Sequence, residues 1–384
     1  MSTHHNFPLD LFKEQSTPFY YYDLHLLDRT LEELKKASSI PGYHVHYALK
    51  ANANPEILTR IAGAGLGADT VSGAEIEAAL RSGFPASRIV YAGVGKTDAE
   101  IELALRAGIS CFNVESDAEL AVIEEIARRL GLVAPVALRV NPEIDAHTHH
   151  YITTGLAENK FGIAMTHLAA MIERARSSDV INFRGLHFHI GSQITDLAPF
   201  GLLCDRINAL QDEYNARGIH FDTINVGGGL GIDYVDPDAH PVADFTSYFA
   251  TFHRRLRLRP GQELHFELGR AIVAQCGSLI SRVIYVKEGV SRRFAIIDAG
   301  MSDLIRPALY QAHHKIENLT GHGADETYDV VGPICESSDV FGTDERLPRV
   351  ERGDIFALRS AGAYGEVMAS RYNLRPLPHI VVSQ

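Results

Sequence analysis

The chain has 384 residues and lacks much of what several protein classes depend on. Cysteine is scarce: Cys111, Cys204, Cys276 and Cys335 are scattered without CxxC spacing. Neither a zinc site nor a disulfide framework is indicated by such a pattern. Positive charge is also short, with 36 Lys and Arg against 48 Asp and Glu and a formal net charge of -12. A general nucleic-acid binder needs a basic face, so that class is disfavoured, while a local basic pocket for an anionic ligand stays compatible. No apolar run approaches the ~18 residues that a membrane span requires. The opening MSTHHNFPLDLF has no charged region followed by an apolar core. No signal peptide is therefore expected, and the expected location is cytoplasmic. No segment is of low complexity.

What is present is an ordinary globular composition, 46% hydrophobic, over a length that suits one large domain plus a smaller one. The chain is organised around VHYALKANANP, Val45 to Pro55. Val45, Tyr47 and Leu49 alternate with His46, Ala48 and Lys50, the period of a strand, and the run breaks into Asn52, Asn54 and Pro55. A lysine at the carboxyl end of a buried strand can snorkel into solvent. It can also be a desolvated amine of lowered pKa that joins covalently to an aldehyde cofactor.

Around this run a theme repeats. A strand is expected at Phe19–Tyr22 and a helix over Asp23–Lys36. Further strands are expected at Ala68–Val71, Ile89–Ala92, Cys111–Val114, Val136–Val140, Gly185–Ile190, Thr223–Val226 and Leu264–Leu268. Helical patterns lie between them at Gly73–Ser82, Thr97–Ala107, Ser116–Leu130, His167–Ser177 and Pro199–Arg217. With the lysine strand this makes eight strands alternating with helices, the signature of a (β/α)8 barrel; a doubly wound open sheet is the alternative. After about Arg270 the texture becomes short strands and turns, at Val273–Val286, Phe294–Asp298, Tyr328–Val331 and Asp354–Leu358, which predicts a mostly antiparallel β-domain. The expected division is a barrel over 23–270 and a β-domain over 271–384, with residues 1–22 packing on the latter.

Chemistry in a parallel barrel sits where strands end. Those ends carry Lys50; Asp69 and Ser72; Arg139 and Asn141; His187, His189 and Ser192; Gly227, Gly228 and Gly229; and Glu267, Gly269 and Arg270. Every one is polar or glycine-rich. Three consecutive glycines let a backbone approach an anion closely and aim N–H groups at it, although a tight turn also uses glycine. Glu267 either pairs structurally with Arg270 or keeps a pyridine nitrogen protonated. His189 is either a hydrogen-bonded core histidine or a platform beneath a cofactor ring. A lysine, a phosphate cradle and an acid together describe a site for pyridoxal 5'-phosphate (PLP). In the second domain Cys335 has an acid, Glu336, beside it in a glycine-flanked loop, where a lone cysteine is otherwise mostly packing. Arg306 and Tyr310 could form a surface pair, whereas Tyr364 between glycines is more site-like.

These residues resemble those of the diaminopimelate decarboxylase family, within the alanine-racemase-like (fold type III) PLP enzymes. The motifs are YALKANANP, RVNPEIDAHTHHYITTGLAENKFGI, LHFHIGSQI, NVGGGLGI, ELGR, GPICESSDVFG and GAYGEVMASRYNLRP. One departure is Leu268, where the family usually has proline. The resemblance implies that Lys50 holds PLP covalently, that His189 stacks on the ring and that Asp69 lies nearby. It implies phosphate binding by Ser192, Gly227–Gly229 and the backbone around Gly269 and Arg270, with Glu267 at the pyridine nitrogen. It further implies that Arg270, Arg306, Tyr310, Glu336 and Tyr364 hold the substrate, Tyr364 also lying near the cofactor. Cys335 would protonate the carbanion, and Cys335 and Glu336 would serve the partner subunit of a homodimer. The expected reaction is decarboxylation of meso-2,6-diaminopimelate to L-lysine and CO2, with no metal. The alternatives are a decarboxylase of ornithine, lysine or arginine, and a non-catalytic PLP-binding relative.

Overall fold

The computed structural model describes residues 7–142, 144 and 160–383. The chain divides into two compact units, one of 31–231 and 244–269, the other of 1–30, 232–243 and 270–384. Most of the long central motif at 139–163 lies outside the described residues.

The first strand, β1 (Phe19–Tyr22), belongs to the second of these units. The next eight, β2 (Tyr43–Ala48), β3 (Gly67–Thr70), β4 (Ile89–Tyr91), β5 (Cys111–Val114), β6 (Ala134–Arg139), β7 (Ile181–His187), β8 (Thr223–Asn225) and β9 (Glu263–Leu268), close into a barrel. All pairings are parallel, and the seam is β2 against β9. The expected barrel is therefore present, and the open sheet is not. The helices start where the residues dictate. Asn54 caps the helix Pro55–Gly63, whose proline occupies the first turn, and Thr97 and Glu100 form a capping box on Asp98–Ala107. Gly108 and Gly131 end two helices in the left-handed conformation that glycine adopts without strain.

Strand β7 begins four residues before the expected Gly185. Its first half, INFR, is half-exposed and interrupts the apolar run, and Gly185 has no room for a Cβ, which would lie 1.9 Å from Thr223 O. Lys50 is not in a strand. It follows β2 in a single 3-10 turn, Leu49–Ala51.

In the other unit the sheet runs β12 (Ile316–Asn318), β15 (Ile355–Leu358), β10 (Gly277–Glu288), β11 (Arg293–Ile297), β13 (Asp325–Val331), β14 (Val340–Pro348). β1 pairs antiparallel with β10 and parallel with β16 (His379–Val382), which ties the amino-terminal segment into this sheet. Most pairings are antiparallel; β11 with β13 and β1 with β16 are parallel. Phe7, Phe12, Phe19 and Tyr21 pack on Ile280 and Ile355 as its core. Periodicity did not reveal β12, β14 and β16. Each has one neighbour only, so an edge strand such as VFGTDERLP need not alternate. Arg270–Val273, expected as the start of β10, is a helical turn. Among the described residues no helix is long and apolar enough to cross a membrane.

Candidate active site

Within the barrel unit, Glu267 closes the inner face of β9. It is 7% exposed, yet its carboxylate is well satisfied. Asn113 and Asn225 donate to Oε1 at 2.9 and 2.7 Å, and His187 Nε2 donates to Oε2 at 2.9 Å. Burial alone would raise the pKa of this acid. The His187 imidazole, its hydrogen bond, Lys50 and His46 outweigh burial and hold the carboxyl well below the usual range. Glu267 is thus an anion fixed by three donors. A carboxylate offers about four acceptor positions, so one remains for a cationic N–H.

Lys50 Nζ lies 2.9 Å from Asp69 Oδ2. The lysine side chain is 41% accessible and the carboxylate 0%, so the expectation of a desolvated amine is not met; the buried partner is the acid. A lysine in a turn at the barrel end reaches solvent with its amine, whereas the strand-borne Asp69 cannot. Asp69 is pushed up to about 7 by burial and by the charge of Glu267, with Lys50 opposing. Its Oδ1 is buried and has no hydrogen-bond partner.

His189 follows β7 and is half-buried. Its Nδ1 accepts the Gly228 N–H at 3.3 Å, so a neutral ring carries its proton on Nε2. Burial, reinforced by Arg139 and Lys50, holds its pKa well below the usual value. The three glycines are needed by the fold itself. Gly227 and Gly229 have φ of 67° and 112°, and a Cβ on Gly228 would lie 1.9 Å from Glu267 O. The N–H groups of Gly227 and Gly228 donate to Asn225 Oδ1 and His189 Nδ1, so two of the three are already engaged within the chain. The expectation that all three aim at an anion is narrowed to Gly229. Ser192 is half-buried just beyond, before Gln193 at φ 59°. Gly269 packs its Cα against Ala48 and Ala51, where a Cβ would come within 3.0–3.1 Å of both side chains. Leu268 is a buried β9 residue in register with Tyr47. Ser72 caps the helix Gly73–Arg81, and Arg139 is bound at 2.7 Å by Glu115, so both serve the fold.

In the other unit Arg270 and Arg306 are 6% and 4% exposed. Tyr234 lies between them. Arg270 Nη1 donates to its hydroxyl at 2.6 Å, and the two guanidinium groups lie 5.9 and 4.9 Å from its ring centre. The Arg270 guanidinium also lies 5.0 Å from the ring centre of Tyr364, which is held at φ 57°. Tyr310 is near enough to raise the Arg270 pKa further. Arg306 Nη1 donates to His314 Nε2 at 2.8 Å, and His314 Nδ1 donates to Arg359 O, so this imidazole is neutral. No carboxylate lies within 4 Å of Arg306 among the described residues, and burial, with Arg270 nearby, lowers its pKa. A buried guanidinium without an acid is costly until an anion arrives. It is not the surface group that Arg306 and Tyr310 might have formed.

Cys335 and Glu336 stand apart from this cluster on an exposed loop. Cys335 N–H donates to Asn373 Oδ1 at 3.0 Å, and Tyr372 donates to Glu336 Oε1. Residues that sequence reasoning missed are Asn113, Asn225 and His187 around Glu267, and Tyr234 and His314 around the arginines. The asparagines left a signal, since CFNV and TIN place an amide inside short apolar strands. Tyr234 and His314 left none.

A parallel barrel with a reactive amine at the end of its first strand, a fixed anion on its last and a neutral imidazole beside a glycine bend defines a PLP-dependent enzyme of the barrel class. The residues fit the cofactor: the open position on Glu267 suits a protonated pyridine nitrogen, and orphaned Asp69 Oδ1 suits a further donor. The family model for the pyridoxal-binding domain of pyridoxal-dependent decarboxylases matches residues 25–274. The diaminopimelate decarboxylase of Bacteroides thetaiotaomicron is 61% identical over 97% of both chains. That of Vibrio cholerae is 45% identical over 96% of this chain and 87% of its own. The crystal structure of Helicobacter pylori diaminopimelate decarboxylase complexed with L-lysine superposes with a TM-score of 0.92 at 41% identity, covering 98% of this chain and 94% of that one. The chain belongs to the diaminopimelate decarboxylase family. A lysine/ornithine decarboxylase from Vibrio vulnificus, 22% identical with a TM-score of 0.84, shares the fold alone.

Proposed function

We propose that the chain decarboxylates meso-2,6-diaminopimelate to L-lysine and CO2, the last step of lysine biosynthesis. The observation that carries this reading is Arg306, a guanidinium 4% exposed with no acid partner among the described residues. Diaminopimelate has a second carboxylate far from the reacting carbon, and an arginine fork suits it. A substrate such as ornithine or lysine has only a cation at that end, and two buried arginines would repel it.

Bound to this chain, PLP supplies the electron sink for the pair left behind when the carboxylate departs as CO2. Lys50 holds it covalently, Glu267 keeps the ring nitrogen protonated, and His189 covers one face as a neutral platform. Asp69 orients the amine of Lys50. Ser192, Gly229 and the backbone at Gly269 and Arg270 take the phosphate, with Gly227 and Gly228 shaping the bend. Arg270, Arg306, Tyr310 and Tyr364 grip the carboxylate of the distal head, and Glu336 takes its ammonium. Cys335 then delivers a proton to the carbon from which CO2 left, and solvent restores the thiol proton. Because Cys335 and Glu336 lie exposed, we take them to complete the site of a partner subunit in a homodimer. The enzyme is assigned to the cytoplasm. Residues 23–270 are taken as the cofactor-binding domain and 271–384, with 1–22, as the second.

The test is a product assay on meso-diaminopimelate beside ornithine and lysine, with and without added PLP. L-lysine formed from diaminopimelate alone supports the reading. Equal turnover of ornithine, or no turnover of diaminopimelate, would refute it.

A further inference from the structure

The barrel has a second mouth, at the amino ends of its strands, and this opens into a cavity of about 660 Å3 that reaches inward to Asn113 and Asn225. His44 comes from β2, and Glu263 and His265 come from β9. His44 and His265 are register partners across the closing seam, and Glu263 precedes His265 by two residues, so strand alternation turns all three inward. His44 Nε2 lies 3.4 Å from Glu263 Oε1, and His265 Nε2 lies 3.4 Å from Glu263 Oε2. One donor atom from each residue falls within 4.8 Å of the other two. A tetrahedral centre with bonds of about 2.0–2.1 Å separates its ligand atoms by roughly 3.3 Å, so two of the three edges already have the right length.

The second observation is the tautomer of His265. His46 Nδ1 lies 3.1 Å from Arg88 O, an atom that can only accept, so this nitrogen carries the proton. His46 is 3% exposed and stays neutral in that position, which leaves a lone pair on Nε2. That lone pair, 2.8 Å from His265 Nδ1, requires the His265 proton to sit on Nδ1. In the neutral ring the lone pair of Nε2 then faces a carboxylate oxygen. Two acceptors hold this arrangement only with a cation between them. The arginines at this mouth are turned aside: Arg88 Nη1 donates to Gly65 O at 2.8 Å, and Arg184 lies 3.8 Å from Asp222. Lys35 also borders the cavity.

We infer that His44, Glu263 and His265 bind a divalent transition-metal ion, Zn2+ by donor set, with His46 as the positioning residue that orients His265. Two imidazoles and one carboxylate suit such an ion, a hydrogen-bonded second imidazole is its usual support, and the fourth position faces the cavity. His44 and Glu263 side chains are each 43% accessible, which provides an entry path. The ion clips the first barrel strand to the last, so it stabilises the closed barrel and takes no part in decarboxylation.

The experiment equilibrates the PLP-loaded enzyme with micromolar free Zn2+, removes unbound metal and counts what is retained. Wild type is expected to keep one more equivalent than Glu263→Gln or His44→Ala, and Co2+ in its place should give the d–d bands of a tetrahedral N2O site. Zn2+ should raise the thermal midpoint of wild type and leave those of both variants unmoved. His46→Gln, with every ligand intact, should weaken Zn2+ by about 10–100-fold. Equal retention by wild type and both ligand variants overturns the inference, as does a wild type that keeps no metal, in which case a proton alone bridges the acceptors.

Discussion

Replacing Arg306 by methionine isolates the charge argument, because methionine keeps much of the stem and removes the guanidinium. In the free protein that group is buried, its acid position is unfilled, and it lies beside a second buried arginine. Removing it relieves desolvation and repulsion while leaving His314 Nε2 without its donor, a loss of about 1–3 kcal/mol. The two effects oppose, so the net change in stability should stay within about 2 kcal/mol, a shift of a few degrees in the thermal midpoint. Substrate binding has no such compensation. Arg306→Met leaves the distal carboxylate buried without its partner, which costs about 2–5 kcal/mol, or roughly 30- to 4,000-fold in kcat/KM. Both quantities come from one preparation, by CO2 release on meso-diaminopimelate and by differential scanning calorimetry. Full activity would refute the substrate argument. A loss of activity that merely follows a large loss of stability would show Arg306 to be structural.

Cys335→Ala should keep the visible absorbance of bound PLP yet lose about 10²–10⁴-fold in decarboxylation rate, since a positioned proton donor is worth that much; unchanged kinetics would make the thiol packing only. Mixing it with Lys50→Ala should restore up to about a quarter of wild-type activity if each site draws on both subunits, and none if it does not. Gly228→Ala should destabilise the barrel by about 3 kcal/mol or more, measured by urea denaturation, because its Cβ meets Glu267 O at 1.9 Å; a stable, active variant would contradict that contact. For Asp69 the folded pKa of about 7 lies above its ordinary 3.8, so between about pH 4 and 7 the folded protein binds the extra proton. Stability of the cofactor-free protein should therefore fall as pH rises through that window, with the cost complete above it. Asp69→Asn should flatten the slope, and an unchanged slope in urea titrations would show that another group is responsible.

The barrel was legible because its strands are buried on both sides and read as short apolar runs between capped helices, from Ala68–Val71 to Leu264–Leu268. The identities at the strand ends were legible for the same reason, since a polar residue closing an apolar run stands out. Chemistry that depends on one residue in its own local frame, such as the amine of Lys50 or the acid of Glu267, is written in the linear order. The edge strands β12, β14 and β16 were not, because a strand with one neighbour and one wet face is under no pressure to alternate.

What only the tertiary structure decided is how charges are paired. Whether Arg306 is a surface cation or a buried one waiting for an anion depends on Tyr234 and His314, one of them 72 positions earlier in the chain. That Glu267 is held as an anion depends on Asn113, His187 and Asn225, which strands β5, β7 and β8 bring to one carboxylate. That Lys50 is accessible while Asp69 is buried follows from a 3-10 turn that no periodicity specifies. Burial and solvation act over a few ångströms in space, so they are properties of the folded surface and not of the residue order.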